Sequence, residues 1–403
     1  MASPYALLLL PSPPAIVEEE VRDAYEEALA SVFSTLSQSL DGTSCTATLD
    51  IALAISGLEP ASRQPRARVF QPLQHVLTNV YKLIIAVCAS RSIELDGPGG
   101  IDARVVFVGD VDEGADGDRA QRLGPILSLQ TLATSARSWN SIFFVDTASG
   151  RKLLNAFTGS LQSPVHTYGV PGGKSDEASS NTLLLASEGP QGVARHYSVA
   201  VGGTFDHLHI GHKLLLTATA LALDRVVETD TGRDRSITVG VAADELLAKK
   251  KYIEFLESWD QRYRRTASFL TSIIDFSPPQ DSAPRVQEVL EPGPNGKYVL
   301  LRLRTDLVLK LVQFSDIYGP TITDQQISAL VVSRETRAGG QAVNTERAKQ
   351  GWQELEIFEV DVLNSGTAAA LAASRPDSFE TKISSTEIRR RRMEQAQAPP
   401  RST

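Results

Sequence analysis

Three histidines fall within six residues in the stretch GGTFDHLHIGH, residues 202–212. His209 and His212 are three apart with Gly211 between them, and the apolar run KLLLTATALAL follows at 213–223. That run is a helix by propensity. If it begins near Ile210, both imidazoles aim at one spot beside the free N–H groups of its first turn, where the helix dipole favours an anion. The preceding YSVAV, residues 197–201, reads as a short buried strand, and Gly202 and Gly203 would let backbone approach a ligand closely. Imidazole donors beside an anion site suit polyphosphate chemistry. They hold non-bridging oxygens whose charge rises in the transition state, and positioning with preorganised electrostatics supplies most of the rate. A metal centre is the competing reading, but it lacks a nearby third-ligand pattern of carboxylates or thiols.

A second chemical motif stands near the end of the chain, KISSTEIRRRR at 382–392. Ser384, Ser385 and Thr386 can cap a helix and offer hydroxyl and N–H groups to phosphates, and Arg389, one turn in, adds charge. The four arginines at 389–392 read as one ligand contact mixed with a solvated face, not as a nucleic-acid patch. The segment GGKS at 172–175 ends like a phosphate loop, but the position that must be Gly is Tyr168.

The two motifs, about 170 residues apart and in this order, resemble the HxGH and ISSTxxR signatures of the nucleotidyltransferase superfamily. Between them, AADELLAKKK (242–251), WDQRYRR (259–265), YGP (318–320), LVVSRET (330–336) and GGQAVNTER (339–347) are similar to the eukaryotic-type phosphopantetheine adenylyltransferase family. The resemblance covers roughly residues 195–395. It implies a doubly wound, Rossmann-like α/β domain and transfer of an adenylyl group from ATP, accompanied by Mg²⁺, to 4′-phosphopantetheine, giving dephospho-coenzyme A and pyrophosphate. It implies that His209 and His212 contact the ATP phosphates and the transition state. Gly203, Thr204, Phe205 and Gly211 would border the acceptor phosphate and nucleotide. A lysine of 249–251 would neutralise the acceptor phosphate; spacing from Leu246 and Leu247 favours Lys250. Ser384, Ser385, Thr386 and Arg389 would hold the nucleotide phosphates. Ser333, Glu335 and Thr336, at the end of the strand 329–333, would border the nucleotide, because ligands in open parallel sheets bind off the carboxyl ends of strands. His207 is expected to be structural or at the rim. No resident metal ligand is expected.

The elements that position these residues occupy the second half of a chain of 403 residues, 42% hydrophobic and 22% charged. That size suggests two or three domains, and the composition rules out wholesale disorder. A net charge of −8 argues against bulk binding of nucleic acid or an anionic membrane. Two cysteines are too few for a disulfide framework. The longest uninterrupted apolar runs fall well short of a membrane span, and no basic region precedes the apolar start. The expectation is a soluble cytoplasmic protein, the nucleus being open to it as well. Residues 164–195, rich in Gly, Pro, Ser and charge, read as a linker. Before it, residues 1–163 alternate helical spacing (17–36, 73–89, 149–161) with strand-like runs (46–56, 104–108, 141–145), which predicts a separate α/β domain of unassigned role. After it, 196–396 form the nucleotidyltransferase domain and 397–403 a tail. Residues 281–308 read as an insertion without a function. Two alternatives stay open: another nucleotidyl transfer (cytidylyl to a phospho-alcohol, adenylyl to nicotinamide mononucleotide), or a nucleotide-binding scaffold for other enzymes of coenzyme A synthesis.

Overall fold

A computed structural model describes residues 3–40, 43–58, 63–109, 123–173, 192–227, 230, 232–279, 285–304, 306–361, 363 and 384–397. The chain is α/β and divides into two compact units, each with its own largely or wholly parallel sheet.

The first unit comprises 1–196 with 217–231 and 270–283. It contains β1 (Tyr5–Leu10), α1 (Glu18–Ser39), β2 (Ala47–Ile55), α2 (Arg66–Ser90), β3 (Ile101–Gly109), β4 (Ile126–Leu127), α3 (Leu129–Ala133), β5 (Ser141–Val145), α4 (Ala148–Thr158) and β6 (His166–Val170). The sheet order is β4-β3-β2-β1-β5-β6, every pair parallel. β1, YALLLL, is buried over its last five residues, as a strand covered on both faces must be. α2 is long and apolar enough to cross a bilayer, yet two thirds of its most apolar window is buried inside the protein.

The expected linker is corrected by β6, which pairs in register with β5 from Ser141↔His166 to Val145↔Val170. Its sequence HTYGV lies at an exposed sheet edge, so it needs little apolar content and blends into the polar stretch that follows. Of the rest of that stretch, 174–191, with Leu183–Ala186 and the end of GGKS, lie outside the described residues, as do 398–403 of the tail.

The second unit comprises 197–216, 232–269 and 284–403. It is built from β7 (Ser198–Gly203), α5 (Ile210–Ala222), β8 (Arg235–Ala242), α6 (Trp259–Ile274), β9 (Arg285–Gly293), β10 (Gly296–Arg304), β11 (Leu307–Phe314), β12 (Ala329–Ser333), α7 (Arg337–Lys349), β13 (Glu356–Val360) and α8 (Ser385–Gln397). The order is β13-β12-β7-β8-β11-β10-β9. Five strands run parallel, and the expected insertion is a β9–β10 hairpin that extends β11 antiparallel at the edge. The connections leave β7 toward β8 on one side and return to β12 on the other. The topological switch point, where such sheets bind ligands, therefore lies between β7 and β12. α7 covers this region through Val343, packed with Ala200, Ile327, Leu330, Val332 and Leu355. Two buried side chains tie its surroundings down. Arg347 is enclosed and donates to the carbonyls of Thr321, Ile327 and Gln353, and Asn344 exchanges two hydrogen bonds with the Leu355 backbone.

α5 and α6 each start in the second unit and end in the first. Beyond α5, the buried Asp224 accepts the backbone N–H groups of His196 at 2.7 Å and Arg66 at 2.9 Å. At the end of α6, Arg137 donates to the Ser272 and Asp275 carbonyls and lies over the Phe276 ring.

Candidate active site

Gly203 of β7 pairs with Val241 of β8, and on the other side Ser333 lies two residues past the Val201↔Val331 pair. The turns carrying the sequence motifs thus leave one edge of the sheet side by side.

The β7–α5 loop is packed around its own side chains. Phe205 has φ +51° and is fully buried. A Cβ on Gly203 would stand 2.9 Å from the Phe205 Cζ, so this glycine makes room for the ring. The expectation that Phe205 borders the nucleotide is corrected for its side chain: the ring is core, 5.5 Å from that of His212 and backing it. Gly202, by contrast, faces open space. His209 and His212 stack with ring centroids 3.8 Å apart and planes 23° apart. Gly211 is the bed for this stack, since a Cβ there would press on Cε1 and Nδ1 of His209 at 3.2 Å. The Nδ1 atoms of both histidines are enclosed and lack a hydrogen-bond partner. Buried polar atoms are normally paired, so these mark hydrogen-bonding capacity left unused within the protein. Burial pushes His212 down to about 4, with Glu257 opposing and His207 adding. Burial, then His212, Lys213 and His207, holds His209 well below its usual value. Both rings are neutral at pH 7 and present N–H groups and lone pairs, not full charges.

Beneath the stack lies a polar layer. Asp206, fully buried, accepts the Glu257 N–H at 2.9 Å and pairs with Arg389. His207, at φ +45°, donates its backbone N–H to Glu257 Oε2 at 2.9 Å, and its Nε2 bonds the Phe255 carbonyl at 2.8 Å. Burial works against the Glu257 charge, but the His207 hydrogen bond and Arg265 hold its carboxyl below the usual range. Asp206, His207 and Glu257 bring potential metal-ligand atoms within 4.8 Å of one another. Their carboxylate oxygens already serve backbone N–H groups and arginines, so the cluster reads as a structural network.

Arg262, within the WDQRYRR motif, has no assigned role in the sequence reading and is fully buried. It donates to the carbonyls of Thr204 (2.7 Å), Ala242 (2.7 Å) and Glu257 (3.0 Å), and to Asp244 (2.6 Å). One guanidinium thereby joins the ends of β7 and β8 to the start of α6. Its fork of donors matches that task, and a fully buried arginine needs such partners. No periodicity could have singled it out among the arginines of that segment.

In the second motif, Ser384 caps α8 through the Glu387 N–H, and Ser385 Oγ donates to the Asp206 carbonyl at 2.8 Å. Arg389 is turned inward: Nε bonds the Lys251 carbonyl at 3.0 Å, Nη1 the Asp206 carboxylate and Nη2 Thr386 Oγ1 at 3.2 Å. Each nitrogen thus serves a protein group, and two of the five N–H donors remain for a ligand. Lys382 and Ile383 lie outside the described residues. Lys250 is exposed in the turn after β8, its backbone N–H bonded to the Leu247 carbonyl. Ser333 and Thr336 form a reciprocal capping box at the end of β12, and Glu335 is exposed there. Arg334 and Arg337 both reach Glu359 at 3.4 Å. The structure therefore brings Gly203, Phe205, Gly211, His209 and His212 into one contact group. It joins Ser385, Thr386 and Arg389 to the same loop through Asp206. Lys250 and the Ser333–Thr336 turn stand on neighbouring loops of the same edge.

Comparison with known proteins matches residues 200–391 to a family described as cytidylyltransferase-like, and residues 1–175 to one described as Domain of unknown function (DUF8446). Over 266 residues, 64% of its length, the chain is 34% identical to the uncharacterized protein C1F12.08 of Schizosaccharomyces pombe, covering 66% of that protein. Over 211 residues, 52% of the chain, it is 33% identical to the phosphopantetheine adenylyltransferase of Saccharomyces cerevisiae, covering 53% of it. The chain thus spans about two thirds and about half of these two relatives. It is 30% identical over 184 residues, 45% of the chain, to the phosphopantetheine adenylyltransferase of Methanothermobacter thermautotrophicus, and here it covers 85% of the relative.

Proposed function

The chain belongs to the phosphopantetheine adenylyltransferase family of HxGH nucleotidyltransferases, and from that premise we propose that it converts ATP and 4′-phosphopantetheine into dephospho-coenzyme A and pyrophosphate. An oxygen of the acceptor phosphate attacks the α-phosphorus of ATP. That P–O bond forms as the bond from the α-phosphorus to the bridging oxygen breaks, and pyrophosphate leaves with the bonding electrons. The observation that carries this reading is the stack of neutral His209 and His212 at the start of α5, beside the switch point of the sheet. Neutral imidazoles can donate to oxygens that gain charge in the transition state without binding the ground-state nucleotide as tightly as full charges would. The first-turn N–H groups of α5 add an anion site. Lys250 is exposed next to Lys251, whose carbonyl Arg389 holds, and it would meet the acceptor phosphate. A magnesium ion would travel on the nucleotide phosphates, since the carboxylates under the loop are engaged by arginines and backbone.

The cytidylyltransferase-like description of the matched family makes CTP the relevant competitor. The test is pyrophosphate release by the purified chain with ATP or CTP, with and without 4′-phosphopantetheine. Release that requires ATP and the acceptor, with dephospho-coenzyme A as product, is expected. Release with CTP and a phospho-alcohol, and none with ATP, overturns the reading.

A further inference from the structure

The HxGH loop holds two non-glycine residues at positive φ, Phe205 at +51° and His207 at +45°, on either side of Asp206. Such a backbone conformation is costly for a residue with a side chain and persists only where the surroundings over-determine it. Here the surroundings converge on Asp206. Its carboxylate is wholly enclosed and accepts from Glu257 N–H and Arg389, and its carbonyl accepts from Ser385. A buried carboxylate is tolerated only with such partners.

The partner side is equally uneven. α8, STEIRRRRMEQAQ, is strongly polar, and Arg389 is its one buried residue among those described. With little apolar surface to dock the helix, the guanidinium is its main anchor. That same guanidinium also holds the carbonyl of Lys251, in the turn that bears Lys250. Arg390, next along, pairs within the helix with Glu387 and Glu394 and adds nothing to the docking.

We propose that Arg389 is a positioning residue that assembles the site by binding Asp206 and the Lys251 carbonyl at once, so that the strained histidine loop and the lysine turn take their places only when α8 is docked. The arginine of the second motif thus acts through the first motif. The kinetic part of this inference rests on the adenylyltransferase reading; the structural part does not.

The test uses the full chain with Arg389→Met, Asp206→Asn, Arg389→Lys and the double variant Asp206→Asn/Arg389→Met. Hydrogen exchange in the absence of ligand is followed at 204–212, 249–252 and 385–397. Faster exchange in all three segments of Arg389→Met is expected, with the strands β7, β8 and β12 unchanged. In turnover, Arg389→Met and Asp206→Asn should each lose about 10²-fold in kcat, the scale of a reacting group misplaced by about 1 Å, with KM for ATP changed by less than about threefold. The double variant should lose no more than either single one, because the two residues act as a unit. Arg389→Lys should recover part of the loss, since an ammonium reaches one partner and not both. Unchanged exchange in Arg389→Met, or losses that multiply in the double variant with a raised KM for ATP, would make Arg389 a phosphate ligand and overturn the proposal. If Arg389→Met does not fold, the double variant, which buries no unpaired charge, carries the exchange comparison. If the wild type makes no dephospho-coenzyme A, the adenylyltransferase reading fails while the exchange result still decides the positioning role.

Discussion

At the residue scale, the proposed reaction assigns the stacked histidines the rate, and their burial gives them a pH dependence. His212→Ala should lower kcat by roughly 10²–10³-fold, the usual effect of removing one donor aimed at developing charge, and should leave ATP affinity nearly intact; turnover and calorimetric titration together check the split. The pH dependence follows from burial. His212 falls to about 4 in the folded chain, against about 6.5 for a free histidine. Between those values the unfolded chain binds a proton that the folded one refuses, so folding stability rises with pH across that window and is lost on acidification. His209 shifts the same way. Melting temperature should therefore drop between pH 6.5 and 4, and His212→Asn should flatten that drop. An unchanged slope would mean that the ring is not held neutral by its surroundings.

At the element scale, the site depends on spaces that glycine leaves and on cations that the interior holds. Gly211→Ala tests the first. The new Cβ would press on the His209 ring at 3.2 Å, while alanine favours the helix by up to about 1 kcal/mol. Thermal stability should hold or rise as kcat falls more than tenfold, and the two measurements must be made on the same preparation. Arg262→Met tests the second. Three carbonyls and Asp244 lose their donor, and a loss of about 3–5 kcal/mol in urea unfolding is expected. Much of this architecture was legible in the sequence: the strand before Gly202, the helix from Ile210 and the strand 329–333 follow from apolar runs bounded by turn residues. Glycine and histidine at fixed spacing pointed to the anion site. Residues that bond distant backbone were not legible, because Arg262 and Arg347 look like surface charges until the chain folds around them, and the motif that singled out Arg389 did not show its bonds to Asp206 and the Lys251 carbonyl. Phe205 misled for a related reason. A residue inside a ligand-binding motif can face the core, and only its φ and the space over Gly203 reveal which way it turns.

At the scale of the whole molecule, the linker-like stretch suggested two domains in series, and the second sheet began where its composition changed. What composition could not convey is that α5 and α6 each start at the candidate site and end in the other unit. No local signal separates the first two turns of KLLLTATALAL from its last, since both halves are apolar. The consequence concerns cooperativity. Two domains joined only by a flexible segment would unfold independently, and a multidomain chain would then give two transitions. Here the last turns of the helices that carry His212 and Arg262 belong to the first unit, where Asp224 follows α5 and Arg137 bonds the backbone at the end of α6. The full chain should therefore unfold in urea as one transition by circular dichroism and tryptophan fluorescence alike. Asp224→Ala, which removes a charged acceptor from two buried N–H groups, should shift that single transition by about 3 kcal/mol or more. Residues 197–403 produced alone should lack a cooperative melt, since 217–222 and 270–274 would lose their packing. Two separated transitions in the full chain, or a folded and active 197–403, would show instead that the second sheet positions its histidines without help from the first unit.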